Sequence, residues 1–128
     1  MRYAACKIHS LSEQWTEERK KSYIKHSIRE YHIHKVLNHP RVVRLHDVFE
    51  LDQFSFCTIL EYVHGEDLES YLSHVKVIPE KEAHSIIVQI MSALKYLNEL
   101  KEPIIHYDLK PANILYHEGQ VKITDFGL

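Results

Sequence analysis

Two acids and one amide stand at fixed spacing near the C-terminal end of the chain, with a tight hairpin between them. The run from His106 to Leu128 reads H-Y-D-L-K-P-A-N-I-L-Y-H-E-G-Q-V-K-I-T-D-F-G-L. Ile114-Leu115, the Glu118-Gly119 turn and Val121–Thr124 predict the hairpin, so the order loop, hairpin, loop is set by local signals. The pattern D-L-K-x-x-N followed by D-F-G suits phosphoryl transfer from a nucleotide. Asp108 would face a substrate hydroxyl, and Asn113 and Asp125 would hold magnesium on the phosphates. Magnesium is a hard ion that prefers oxygen ligands, which a carboxylate and an amide supply. A solvated loop with chance acids does not account for so many ordered matches.

Upstream, Tyr3–Ile8 reads Y-A-A-C-K-I, a short β-prone run holding Lys7. A strand lysine is commonly an edge charge; pointed into a cleft, it would pair with phosphates. Roughly Glu13 to Leu37 is charged and mostly free of breakers, and Trp15, Ile24, Ile28, Tyr31 and Leu37 fall near helical spacing. Glu30 in that stretch reads either as an exposed helix acid or as a partner for the lysine. Two β-like runs follow, Val42–Leu51 and Phe54–Tyr62. Gly65 supplies a permissive backbone where strand turns to helix, and Asp67 suits the N-cap of the next helix. Pro79-Glu80 opens a further helix with proline in the first turn. Ile86, Ile87, Ile90, Met91, Leu94 and Leu97 form its apolar stripe, read as core.

The run from His106 resembles the catalytic core of a eukaryotic protein kinase. The resemblance implies an α+β fold of two lobes, with residues 1–63 as part of the N-lobe and 64–128 as the start of the helical C-lobe. It implies Asp108 as the catalytic-loop acid, Lys110 as the lysine that offsets charge on the moving phosphoryl group, and Asn113 and Asp125 as Mg²⁺ ligands. Lys7 matches the phosphate-pairing lysine of the family's third strand. Glu30, counted back from Pro40, matches the glutamate of its C-helix, and the two would form an ion pair. For ATP, the resemblance implies Ala5, Leu60 and Leu115 against the adenine, backbone bonds from Glu61 and Val63, and a ribose contact from Asp67. The ribose and N-cap readings of Asp67 stand side by side. His34, Leu45, His106 and Phe126 match the apolar column linking the C-helix to the D-F-G motif, with histidine at 34 where the family has an apolar residue.

Across Arg2 to Leu128, the segments A-C-K-I-H-S-L, W-T-E-E-R-K-K-S-Y-I-K-H, R-E-Y-H-I-H-K and L-N-E-L-K-E-P-I-I-H-Y-D-L-K-P resemble the Tousled-like kinases more specifically. That likeness implies a nuclear serine/threonine kinase with a histone-chaperone protein substrate in chromatin assembly, and a kinase dimer formed through regions not in this chain. The match starts at the strand lysine and stops just after D-F-G. A chain of this extent is expected to be poorly stable and nearly inactive alone, because strand edges and apolar helix surface lack cover. A cooperative melt with ATP turnover by the 128-residue chain would contradict that expectation. The competing class is a non-catalytic, pseudokinase-like interaction module.

Composition narrows the alternatives. An apolar content of 45% supports a core, and a net charge of −2 gives no electrostatic footprint for direct nucleic-acid binding. No apolar stretch is long enough to span a membrane, and no signal peptide is evident. Cys6 and Cys57 are too few for a disulfide framework. The 11 histidines include His32-Ile33-His34 but no zinc spacing, so structural zinc is not expected. Arg19-Lys20-Lys21 reads as a solvated helix face.

Tyr107 stands where most protein kinases have arginine. An arginine there can pair with a phosphorylated activation loop through charge-assisted bonds; a tyrosine cannot. Activity of the full-length protein is therefore expected not to need a phosphate held at this position. Phosphatase treatment should leave full-length wild type active and lower the activity of a Tyr107→Arg variant, which alone would depend on loop phosphorylation. Wild-type dependence on an arginine-bound phosphate here would contradict this.

Overall fold

The computed structural model describes residues 2–106 and 108–125. Its chain divides into two compact units. Of the described residues, one unit holds 2–38 together with Arg44–Tyr62; the other holds His39–Val43 and those from Val63 to Asp125.

The first unit is a three-stranded antiparallel sheet with one long helix. β1 (Ala4–Ser10), β2 (Leu45–Asp52) and β3 (Ser55–Glu61) lie in the order β1-β3-β2. Lys7 pairs with Thr58 and Ala5 with Leu60, and these positions share one face because side chains alternate along a strand. Asp52 closes the β2–β3 turn by accepting from the Phe54 N–H at 2.7 Å. Helix α1 (Glu17–Lys35) begins four residues later than the sequence pattern predicts. Thr16 sets that start. Its hydroxyl accepts from the Arg19 N–H at 3.1 Å, which satisfies one of the orphan donors at a helix N-terminus.

Trp15 therefore sits outside the helix, in a turn closed by its own N–H on the Ser12 carbonyl. It packs edge-on to Tyr23 and under the Arg19 guanidinium, 4.4 Å from the ring centre. Tyr23 meets Phe56 of β3, which stacks on His9 of β1 at 4.6 Å. This aromatic row docks the helix on the sheet. Among the described residues, α1 buries no side chain fully, and Ile24 and Ile28 of its predicted apolar stripe remain exposed.

The second unit is built on helix α3 (Glu80–Asn98). Before it come a two-residue strand β4 (Glu66–Asp67) and helix α2 (Leu68–His74). After it come a 3₁₀ turn at Pro111–Asn113 and the hairpin of β5 (Ile114–His117) and β6 (Gln120–Ile123). The sheet order is β4-β5-β6. Val42 and Val43, expected in the strand that became β2, belong here instead. Val42 bridges Ile123 in parallel, and the Val43 N–H donates to the Ile123 carbonyl at 3.0 Å. Pro79 occupies the N-cap rather than the first turn of α3. The core comprises Ile86, Ile90, Ala93 and Leu97 of α3 with Ile114, Val121 and Ile123 of the hairpin. Ile87 and Met91, read as core from periodicity, are exposed, so the buried stripe is narrower than predicted.

Glycine is required at two turns. The hairpin turn takes positive φ at Glu118 (47°) and Gly119 (82°), the left-handed conformation glycine adopts without penalty. At Gly65 (φ 125°) a Cβ would lie 2.3 Å from the Tyr116 carbonyl oxygen.

Glu82 ties α3 to the rest of this unit. Its Oε1 accepts from the Tyr71 hydroxyl of α2 at 2.8 Å and from the Tyr116 hydroxyl of β5 at 2.6 Å. The two phenol rings stack 4.2 Å apart. Both donated bonds hold the Glu82 carboxyl below the ordinary carboxylate value of 4.5, and they push both phenols above theirs. A carboxyl lowered by folding stabilises above its unfolded value and loses that contribution as pH falls through the folded one. Amides of β5 and α2 should therefore be better protected from hydrogen exchange in wild type than in Glu82→Gln at pH 6. That difference should shrink below about pH 4.5. Equal protection at pH 6 would show that the charged clamp contributes nothing.

Candidate active site

In the second unit the loop after α3 brings together Asp108, Lys110 and Asn113. Pro111 starts the 3₁₀ turn, which suits proline because the first N–H of a helical turn has no internal partner. The turn folds Asn113 back over Asp108. The Asn113 Nδ2 donates to the Asp108 carbonyl at 2.9 Å and to its Oδ2 at 3.1 Å. Lys110 Nζ lies 3.6 Å from the same Oδ2. Asn113 is buried, whereas Asp108 and Lys110 are exposed. One amide thus fixes the loop acid at both its backbone and its carboxylate while leaving the acid accessible.

Asp125 is joined to this loop through the residue before it. The Thr124 N–H donates to the Asn113 carbonyl at 3.0 Å. The Thr124 carbonyl bonds the buried His106 Nε2 at 2.9 Å, and His106 Nδ1 accepts from the Asp108 N–H at 3.2 Å. These roles assign the proton to Nε2, since a neutral imidazole has one donor and one acceptor nitrogen. Asp125 itself has φ 50°, the left-handed region that non-glycine residues seldom take. Such a conformation persists only where neighbours over-determine it, and functional sites are where such residues concentrate.

Sequence reasoning missed the roles of Thr124 and His106 as connectors. The placement of both, directly before Asp125 and two residues before Asp108, was the available signal. Spacing singles out Asn113 as a candidate metal ligand, not as the hydrogen-bond partner of Asp108. Its hydrogen bonds to Asp108 use Nδ2, and its amide oxygen with the Asp125 carboxylate makes a donor set suited to Mg²⁺. That ion takes one or two protein oxygens and completes its shell with phosphates and water. Among the described residues no three of His, Cys, Asp and Glu gather to hold a metal by themselves.

Asp67 is the N-cap of α2. Its two carboxylate oxygens accept from the Ser70 N–H and hydroxyl, each at 2.9 Å, and those bonds lower its pKa. The ribose contact expected of it would have to share these oxygens. Leu115 pairs with Asp67 across β4 and β5, half-buried. Val63, half-buried, opens this unit.

In the first unit Lys7 is on β1 and Glu30 is on α1, with five residues of the helix remaining after it. Burial raises the Glu30 pKa above its ordinary 4.5, and the Lys7 ammonium opposes that rise. The two therefore interact electrostatically, with desolvation the larger influence. Ala5 and Leu60 pair across β1 and β3, both half-buried. The Glu61 N–H donates to the Arg44 carbonyl at 2.8 Å, and its Oε2 accepts from the Arg44 N–H at 3.1 Å, which anchors the end of β3. Of the apolar column, Leu45 and His106 are buried and His34 is half-buried. Phe126 and Gly127 of the D-F-G motif, and Tyr107, lie outside the described residues.

Comparison with known proteins agrees with this geometry. The protein kinase domain family matches residues 1–128. The human serine/threonine-protein kinase tousled-like 2 is 60% identical over 131 residues, covering 99% of this chain and 17% of the relative. The Arabidopsis thaliana serine/threonine-protein kinase TOUSLED is 56% identical over 128 residues, covering 99% of this chain and 19% of that protein. The chain thus spans less than a fifth of these relatives. Among solved structures, the crystal structure of Rad53 1-466 in complex with AMP-PNP superposes with a TM-score of 0.78 at 37% identity, covering 97% of this chain and 31% of that one. The chain belongs to the protein kinase family, a family of enzymes, on a stretch shared with the Tousled-like serine/threonine kinases.

Proposed function

We propose that this chain carries the catalytic residues of a Tousled-like kinase that transfers the γ-phosphoryl group of ATP to a serine or threonine hydroxyl of a protein. The observation that carries the reading is the Asn113 amide on Asp108, with Lys110 beside the same carboxylate. Asp108, held at both ends, would accept a hydrogen bond from the attacking hydroxyl. Lys110 would offset negative charge on the phosphoryl group in transit. Asn113 and Asp125 would hold Mg²⁺, which when bound neutralises phosphate charge. Lys7, steadied by Glu30, would bind nucleotide phosphates. Ala5, Leu60 and Leu115 would contact the adenine, with backbone bonds from Glu61 and Val63, and Asp67 would reach the ribose. The neighbour solved with AMP-PNP supports an adenine nucleotide as the ligand.

Likeness to the Tousled-like kinases extends the proposal to a nuclear protein that phosphorylates a histone chaperone during chromatin assembly and works as a dimer through segments outside this chain. Direct nucleic-acid contact and membrane insertion form no part of it. Among the described residues no helix is long and apolar enough to cross a membrane.

The test is phosphoryl transfer to a protein substrate by the full-length protein. Asp108→Asn should lower kcat about 10²–10⁴-fold, the usual contribution of a positioned general base, with substrate KM little changed. Wild type that binds a partner but never transfers phosphate would establish the interaction module instead. A second variant separates activity from stability. The raised Glu30 pKa means that its ionised form is disfavoured by folding. The associated stability is full below about pH 4.5 and is lost as pH rises through the folded value. Glu30→Gln removes that cost, so its melting temperature at pH 7 should equal or exceed wild type while activity falls at least about tenfold. Loss of stability with activity intact would contradict the Lys7–Glu30 pair.

A further inference from the structure

β6 is a short strand with two edges to satisfy. Gln120 and Lys122 alternate with Val121 and Ile123 along it, and one edge is paired with β5. On the other edge, the backbone groups of Gly119, Val121 and Ile123 find partners outside any regular strand. The Ile123 N–H donates to the Arg41 carbonyl at 2.8 Å, and its carbonyl accepts from the Val43 N–H at 3.0 Å. At Gly119 and Val121 the partner is one side chain. The Gln89 Nε2 donates to the Gly119 carbonyl at 2.9 Å, and its Oε1 accepts from the Val121 N–H at 3.0 Å.

A primary amide carries the same donor and acceptor as a peptide group, so Gln89 stands in for one residue of a neighbouring strand. It projects from α3 between Ile86 and Ile90, both buried, and so from a rigid part of that helix. Gln89 Nε2 also lies 3.2 Å from the Ser85 hydroxyl and 3.3 Å from the Ser85 carbonyl, so a backbone acceptor remains when the hydroxyl is removed. Val121 is fully buried, and its N–H would otherwise lack a partner away from water, which is costly.

β6 leads directly into Thr124 and Asp125. Asp125 takes its left-handed backbone directly after Thr124, which is held at both its N–H and its carbonyl. Thr124 reaches those partners only if β6 keeps its register. We propose that Gln89 is a positioning residue for Asp125: its carboxamide fixes the outer edge of β6 and so sets where the metal-binding carboxylate is presented. This rests on the kinase reading above, and it predicts a defect in magnesium use rather than in nucleotide contact.

The experiment titrates Mg²⁺ against binding of a fluorescent ATP analogue to the full-length protein, without turnover. Variants are Gln89→Leu, which removes both bonds, and Gln89→Glu, which keeps the acceptor for Val121 and loses the donor to Gly119. Ser85→Ala is the control, since Ser85 touches Gln89 but not β6. The Mg²⁺ midpoint should rise about tenfold in Gln89→Leu, a size set by one or two hydrogen bonds, and should also rise in Gln89→Glu, whose second carboxylate oxygen would face the Gly119 carbonyl. Ser85→Ala and metal-free nucleotide binding should match wild type. An unchanged midpoint in Gln89→Leu overturns the proposal. Should that variant fail to fold, an unchanged midpoint in Gln89→Glu overturns it equally. An equal loss of metal-free nucleotide binding in either Gln89 variant also overturns it, since that would be general damage. Wild type that binds nucleotide with no Mg²⁺ dependence removes the kinase reading, and this inference with it.

Discussion

The carboxamide of Asn113 is the interaction on which the arrangement around Asp108 depends. Its Nδ2 holds the Asp108 carbonyl and carboxylate, and its backbone carbonyl receives the Thr124 N–H. One buried residue therefore joins the catalytic loop to the segment that ends in Asp125. An aspartate at 113 would bring a second negative charge against Asp108 and remove the donor, so side-chain size alone does not define the requirement. His106 reinforces the link from the other direction, with one ring nitrogen on each segment. The segment of Asp108 and the segment of Asp125 are thus coupled through hydrogen bonds of Asn113, His106 and Thr124.

The hairpin between them is held from three sides. β5 pairs with β4 at Asp67 and Leu115, the Glu82 carboxylate grips the Tyr116 hydroxyl, and Gln89 with Arg41–Val43 lines the far edge of β6. Much of this is polar chemistry arranged around a small apolar core of Ile86, Ile90, Ala93 and Leu97. In the first unit the corresponding support is aromatic. Trp15, Tyr23, Phe56 and His9 form a row that sets α1 on the sheet and with it Glu30 relative to Lys7. Burial raises the Glu30 pKa and the Lys7 charge opposes that rise.

Features governed by neighbours in sequence were legible. The Glu118-Gly119 turn and the cap at Asp67 are local, and turn and cap chemistry reads directly from residue type. Thr16 shows where that reading fell short: the breaker-free stretch from Glu13 suggested an earlier helix start, and the cap at Thr16 sets a later one. Periodicity overstated burial in α3. Ile87 and Met91 fit a broad stripe, yet only residues facing the hairpin have something to bury against. Val42 and Val43 look like the start of a strand with Leu45, but Ile123 captures their backbone from far along the chain. The Glu82 clamp and the Gln89 edge share that property. The Glu82–Tyr116 and Gln89–Gly119 bonds join residues 30 or more positions apart, and nothing in local pattern records such a partner.

The most direct test of the account is a crystal structure of the full-length protein with Mg²⁺ and a non-hydrolysable ATP analogue. The account predicts a magnesium ion bound by the Asn113 amide oxygen and the Asp125 carboxylate, with the Asn113 Nδ2 still on Asp108 and the Asp108 carboxylate free of the metal. A nucleotide bound with no ion at Asn113 and Asp125, or an ion held by Asp108 in their place, would contradict it.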